Sequence, residues 1–216
     1  MLFRSVFVID DTGSMQMAAN SNEAASPGIK TRWRVLTNSM QFIGNIAAEY
    51  DPDGVDVHFL MSAHLNQTNI KSGQEVLNLL AQVDLTKGSG GTYFAEVLAD
   101  ILGTHVARYE DYFKAAKRRE KVDKVRPLNV IVLTDGKAND ENATKKTIIK
   151  MGKKLDDMNA PLTQVGVQFL QVGDDNDAAK WLKSLDDDLE RNDDVRDVSY
   201  RPTNIFFLIL FFVFLC

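Results

Sequence analysis

The sequence is poor in the residues that make covalent cross-links and soft-metal centres. Its 216 residues include one cysteine, Cys216, and three histidines. An intrachain disulfide is excluded, and so is a cysteine-rich zinc site. His58, His64 and His105 show no metal-ligand spacing and are expected to be surface or strand residues. A basic excess is missing too: 25 Lys and Arg face 30 Asp and Glu, for a formal charge of −5. The positive field of a nucleic-acid binder is therefore absent, and no nucleic-acid partner is expected. No run of about 20 apolar residues, the length of a membrane-spanning helix, occurs anywhere. No secretion signal is expected either, because the apolar stretch Met1 to Ile9 runs into Asp10-Asp11 without a small-residue cleavage site. A lone cysteine and no signal fit a reducing, cytoplasmic location.

What is present is the composition of a folded domain, 44% hydrophobic and 25% charged, in a chain long enough for one core. Phe3 to Ile9 is β-branched and aromatic, the pattern of a buried strand. After a loop over Met17 to Ile29, Thr31 can cap a helix whose apolar stripe is Trp33, Leu36, Met40, Ile43, Ala47 and Tyr50. Asp51-Pro52-Asp53-Gly54 ends it. Val55 to Met61 reads as a second strand, His64 to Ile70 as a polar-faced edge strand, and Gly73 to Val83 as a short helix. A helix is expected from Tyr93 to about Ala107, with the basic stretch Lys114 to Arg126 able to extend it. Leu128 to Leu133 is the clearest buried strand. Glu141 to Met158 is helical, Thr163 to Val172 a strand, Asp177 to Arg191 helical, and Val195 to Tyr200 a last strand. Alternating strands and helices imply an α/β fold, doubly wound and mostly parallel, with one antiparallel edge strand and helices on both faces. In such sheets ligands sit beyond the carboxyl ends of the strands.

Three loops at those ends carry oxygen-rich chemistry. The first holds Asp10, Thr12 and Ser14, alternate residues that an extended turn would point the same way. The second, Lys87-Gly88-Ser89-Gly90-Gly91-Thr92, presents Thr92 after two glycines that permit close backbone approach. The third holds Asp135 between Thr134 and Gly136. Two carboxylates and three hydroxyls are the donors a hard cation prefers, and Mg²⁺ keeps part of its water. A position left to water could then accept a carboxylate from a partner.

Val6-Phe7-Val8-Ile9-Asp10-Asp11-Thr12-Gly13-Ser14-Met15 resembles the first strand and Asp-x-Ser-x-Ser loop of von Willebrand factor A (vWA) domains. Gly91-Thr92 is similar to their second motif, and Val130-Ile131-Val132-Leu133-Thr134-Asp135-Gly136 to their fourth strand and third motif. The order and spacing agree from about Leu2 to Tyr200. The resemblance implies a Rossmann-like vWA fold with a metal-ion-dependent adhesion site, no catalysis, and Mg²⁺ as the ion, with Mn²⁺ and Ca²⁺ as alternatives. Asp10, Thr12 and Ser14 would face the metal. Thr92 would coordinate directly or through water, and Asp135 mainly through water. A protein partner presenting an acidic residue would complete the shell. Thr12 stands where serine is usual, which keeps the hydroxyl. Asp11 fills the variable position and is expected to point away.

Two other readings compete. Asp10-Asp11-Thr12-Gly13-Ser14 also resembles the phosphorylation motif of P-type ATPases in the haloacid dehalogenase superfamily. Asp10 would then be a nucleophile, Asp174 or Asp177 would hold Mg²⁺, and Lys153 or Lys154 would steady the phosphate. That reading leaves the second and third loops unexplained. The other is an interaction scaffold that binds no metal. The domain is expected to cover residues 1–203, leaving 204–216 as a tail that ends in twelve unbroken apolar residues from Ile205. In a helix they would extend about 18 Å, short of the roughly 30 Å hydrocarbon core. The tail reads as a misread gene end, as a segment packed on the sheet in place of the family's final helix, which is missing here, or as a shallow membrane contact.

Overall fold

The computed structural model describes residues 3–20, 30–51, 53–88, 90–190 and 199–200. Its frame is one six-stranded sheet: β1 (Arg4–Ile9), β2 (Val55–Phe59), β3 (Gln67–Ile70), β4 (Leu128–Thr134), β5 (Val165–Gln171) and β6 (Ser199–Tyr200), in the order β3-β2-β1-β4-β5-β6. All neighbours pair in parallel except β3, which runs antiparallel to β2 at the edge. This is the doubly wound α/β arrangement expected from the alternation of elements. The chain leaves β1 toward β2 and β3 on one side, then returns to β4 and proceeds outward on the other. The crevice at the carboxyl ends of β1 and β4 is therefore the topological switch point, where such sheets place ligands.

The two faces are separated by the two-residue period of the strands. Val6, Val8, Val130, Val132 and Val167 point to one core, covered by α3 (Ala95–Lys117), α4 (Glu141–Asp157) and α5 (Asn176–Glu190). Phe7, Ile9, Ile131, Leu133 and Leu170 point to the other, covered by α1 (Arg32–Tyr50) and α2 (Gly73–Leu80). Every residue of β4 is buried, which is why its sequence reads as a continuous apolar run rather than an alternation. Thr31 caps α1 as its sequence suggests, its Oγ1 accepting from the Arg34 amide at 3.2 Å.

Several boundaries differ from the sequence reading. β2 stops at Phe59 because the Met61 and Ser62 amides turn to the Asp11 carboxylate, at 2.8 and 2.9 Å. The edge strand begins only at Gln67, since Ala63–Leu65 forms a 3-10 turn. α3 runs past Ala107 into the basic stretch, but only as far as Lys117 and not to Arg126. That helix closes after Lys117 in a Schellman motif, with the Glu120 amide donating to Ala115 and the Arg119 amide to Ala116. Arg119 holds the left-handed conformation there, at φ 59°, a place usually marked by glycine. Asn159 plays the same part after α4, at φ 51°. His105 is neither on the surface nor in a strand: it lies buried on α3, its Nε2 3.1 Å from the Gln164 amide nitrogen. Burial pushes its pKa down to about 4, so it is a neutral packing residue at physiological pH. The tail from 204 and the start of the expected last strand, 195–198, lie outside the described residues. Among the described residues no helix is long and apolar enough to cross a membrane.

Candidate functional site

The first loop leaves β1 at Asp10, which is fully buried. The backbone is extended only as far as Thr12, and Gly13–Gln16 then coils into a 3-10 turn. That turn folds Ser14 back over Asp10. Asp10 Oδ1 accepts from the Thr12 amide at 3.1 Å and from the Thr12 hydroxyl at 2.7 Å. Thr12 Oγ1 lies 3.0 Å from Ser14 Oγ, and Ser14 Oγ donates to Asp135 Oδ1 at 2.9 Å. Two hydroxyl–carboxylate hydrogen bonds, brought together by the Thr12–Ser14 contact, thus link Asp10, Thr12, Ser14 and Asp135 and join the ends of β1 and β4. All of its atoms are oxygens at the buried end of the crevice.

The Asp10 carboxylate is a charge taken out of water. Burial pushes its pKa up to about 6, against the opposing effect of the Thr134 and Thr12 hydrogen bonds, with the nearby Asp135 carboxylate raising it further. A desolvated anion of this kind is relieved by a proton or by a cation. Among the described residues no group of three or more His, Cys, Asp or Glu converges. A cation here would depend on hydroxyls beside two carboxylates. That donor set fits a hard divalent ion and does not fit a soft one.

The glycine-rich loop is tied to both other loops. The Gly13 amide donates to the Gly88 carbonyl at 2.9 Å. Asn139, four residues past Asp135, accepts the Thr92 amide on its side chain at 2.6 Å and returns its own amide to the Thr92 carbonyl at 2.8 Å. Thr92 is therefore fixed to Asn139, in the loop that follows Asp135, and its hydroxyl takes no part in the contacts that run from Asp10 to Asp135. Asp140 continues the clamp, accepting from the Phe94 and Ala95 amides at the start of α3, at 3.1 and 2.8 Å. Gly88 is needed for the approach: a Cβ there would lie 2.7 Å from the Asp11 carbonyl and 3.1 Å from Thr12 Cα. Both obstacles are backbone, so Gly88→Ala is expected to cost about 1–3 kcal/mol of stability, read as a lower urea midpoint at unchanged slope.

Asp11 points away from the set, as the sequence reading expected. Its two bonds to Met61 and Ser62 fasten the end of β2 to the first loop. Three residues at the site were not singled out from sequence. Thr134 donates from Oγ1 to Asp10 Oδ2 at 2.6 Å. Asn139 positions Thr92. Arg32, the first residue of α1, reaches Asp135 Oδ2 from its Nη1 at 2.7 Å. A signal for Arg32 did exist, because a cation in the first turn of a helix opposes the helix dipole and invites a compensating anion.

The phosphoryl-transfer constellation is not assembled. α4 starts beside the site, but Lys153 and Lys154 lie twelve and thirteen residues along it, about 18 Å further down its axis, and both are exposed. Asp177 is exposed and paired with Lys180. Asp175 caps α5, accepting from the Asp177 and Ala178 amides.

No protein-family model matches the chain, and no curated protein matches it. Solved structures do. The PilB minor pilin from Streptococcus sanguinis superposes with a TM-score of 0.57 at 12% identity, over 99% of this chain and 60% of that one. The chain thus spans about three fifths of the length of the pilin it resembles. The SpRpn10 VWA domain (TM-score 0.48, 12% identity, 97% of this chain and 94% of that one) and the manganese-loaded Plasmodium vivax TRAP protein (0.46, 14%, 98% and 73%) are similar at scores too low to argue from. At these identities the likeness is one of fold.

Proposed function

We propose that this chain is a vWA-type protein-binding module, without catalytic activity, whose site takes a divalent cation, Mg²⁺ first and Mn²⁺ or Ca²⁺ as alternatives. The observation that carries the reading is the hydrogen-bonded set Asp10–Thr12–Ser14–Asp135, two carboxylates and two hydroxyls from distant loops converging at the switch point of the sheet. Bound there, the ion supplies a Lewis-acid centre with a coordination position open to a partner's carboxylate. Asp10 provides the buried negative charge. Thr12 and Ser14 donate their hydroxyl protons to Asp10 and Asp135, which would leave oxygen lone pairs for the ion, Thr92 would be positioned through its backbone pairing with Asn139, and Asp135 closes the set from β4.

Calorimetric titration with Mg²⁺ and Mn²⁺ tests the proposal. Heat of binding is expected, along with a rise in melting temperature. Ser14→Ala should reduce the affinity about tenfold or more through loss of one oxygen donor. Absence of both heat and thermal shift in the wild type would sink the metal reading and leave the metal-free scaffold. Hydrolysis of an aryl phosphate that Asp10→Asn abolishes would instead favour the phosphoryl-transfer reading.

A further inference from the structure

Arg32 is the residue at the site that the metal-binding reading does not use. Its guanidinium is seated rather than loosely placed. The side chain is 11% exposed, and Asp135 beside it is fully buried. The Arg32 amide donates to the Met17 carbonyl at 2.9 Å, which fixes the start of α1 against the first loop. The stem lies against Gly173, in the turn after β5. A Cβ at Gly173 would come 3.1 Å from Arg32 Nε and 3.3 Å from its Cγ, and that glycine is held at φ 97°. The turn therefore leaves the space the arginine fills. One contact is missing: among the described residues the buried Arg32 Nε has no hydrogen-bond acceptor. A planar guanidinium usually satisfies its fork fully when buried against a carboxylate. Here it is engaged through one end only.

We propose that Arg32 is a resident cation that competes with the divalent ion for Asp135, and so sets how readily the site loads. The inference rests on the metal-binding reading above and adds its regulation. The physical reason is charge. The set holds two carboxylates and one guanidinium, and a divalent ion entering beside Ser14 meets a fixed positive group in contact with Asp135. Like charges repel strongly where water is excluded. Loading then favours an arrangement in which Arg32 releases Asp135. Release costs a single contact, because Nε holds no acceptor among the described residues, and the entering ion replaces the charge that Asp135 loses. By reciprocity, whatever draws Arg32 away raises metal affinity, and metal binding loosens Arg32 by the same factor. An acidic group on a partner is the chemistry that would capture the freed guanidinium, which would couple partner binding to loading.

The test is calorimetry with Mg²⁺ on the wild type, Arg32→Met and Arg32→Lys. Methionine keeps the length of the stem and removes the charge. Arg32→Met is expected to bind Mg²⁺ roughly ten- to a hundredfold more tightly than the wild type, and Arg32→Lys to stay near the wild type. Equal affinity in all three would overturn the competition while leaving the metal reading intact. So would tightening in Arg32→Lys as large as in Arg32→Met, since charge would not be the cause. Binding by none of the three would overturn both readings together. A measurement on the unaltered protein guards against a variant that fails to fold. The buried Arg32 Nε–H should give a slowly exchanging nitrogen-15 correlation without metal, and Mg²⁺ should shift it or speed its exchange. A signal unmoved at Mg²⁺ saturation would overturn the proposal.

Discussion

Asp10→Asn is expected to fold at least as stably as the wild type in chelator-treated buffer at pH 8, yet to lose its response to Mg²⁺. Two effects of opposite sign meet at this residue. A carboxyl raised from 3.8 to about 6 costs the charged folded form on the order of 3 kcal/mol. Asparagine removes that cost. It keeps an oxygen for the Thr12 amide and hydroxyl, and presents an NH₂ to Thr134. The Thr134 hydroxyl can turn to accept it, because the Gly136 carbonyl lies 3.2 Å away as an alternative acceptor. The lost negative charge is the one a divalent ion needs most. Thermal melts with and without Mg²⁺ check both halves. A variant that melts well below the metal-free wild type at pH 8 would show that the Asp10 charge is already compensated.

The same carboxyl gives the pH dependence its sign. Its folded value lies above its unfolded value, so its contribution favours the fold fully below about pH 4 and is lost as pH rises through about 6. Metal-free wild type should therefore lose stability between those values relative to Asp10→Asn. Above pH 6 the difference between them should be constant. Saturating Mg²⁺ should reverse the trend in the wild type alone, since an ion selects the ionised form.

Phe94→Ala is expected to be the most destabilising single change, at about 3–5 kcal/mol. Its ring is fully buried. It meets Phe169 of β5 edge-on, with centroids 5.8 Å apart, and stacks on Trp181 of α5 at 6.0 Å. Phe169 and Trp181 are themselves edge-on at 5.7 Å. Truncation opens a hole at the centre of a three-ring cluster, in a core too densely packed to close it. The effect should reach the site as well. Phe94 is the residue before α3 and stands two places after Thr92, so its ring anchors the loop that presents Thr92. A drop in the urea midpoint together with weaker Mg²⁺ binding is the expected pair of results. An unchanged midpoint would mean the cluster repacks, as Phe94→Leu should nearly achieve.

Much of the architecture was legible because its signals are local. The apolar runs Val6–Ile9 of β1 and Val130–Leu133 of β4 announce burial on both faces before any contact is known. The α1 stripe fixes which side of that helix meets the sheet. Helix ends were less legible. α3 closes on a left-handed residue that is not glycine, Arg119, so the sequence carries no stop signal where backbone hydrogen bonds make one, whereas α4 ends within one residue of the expected Met158, followed by Asn159, a residue that tolerates the left-handed conformation. β2 ends early for a similar reason: its last amides are claimed by Asp11, about fifty residues away along the chain.

The site divides in the same way. The sequence by itself determined the oxygen-rich loops, their order, and their placement at strand ends, because turn chemistry and strand periodicity are short-range properties. The resemblance to the vWA motif, in which Asp11 fills the variable position, implied that Asp11 would point away from the set. Only the tertiary structure decided the charge balance. The Arg32–Asp135 pair spans 103 positions and the Thr134–Asp10 bond 124. Contacts of that separation depend on how the strands are ordered and how α1 sits on the sheet. Electrostatic energy depends on distance in space rather than along the chain. The oxygen-rich loops could therefore be read from the residues, whereas the cation already beside Asp135 could be seen only in the folded chain.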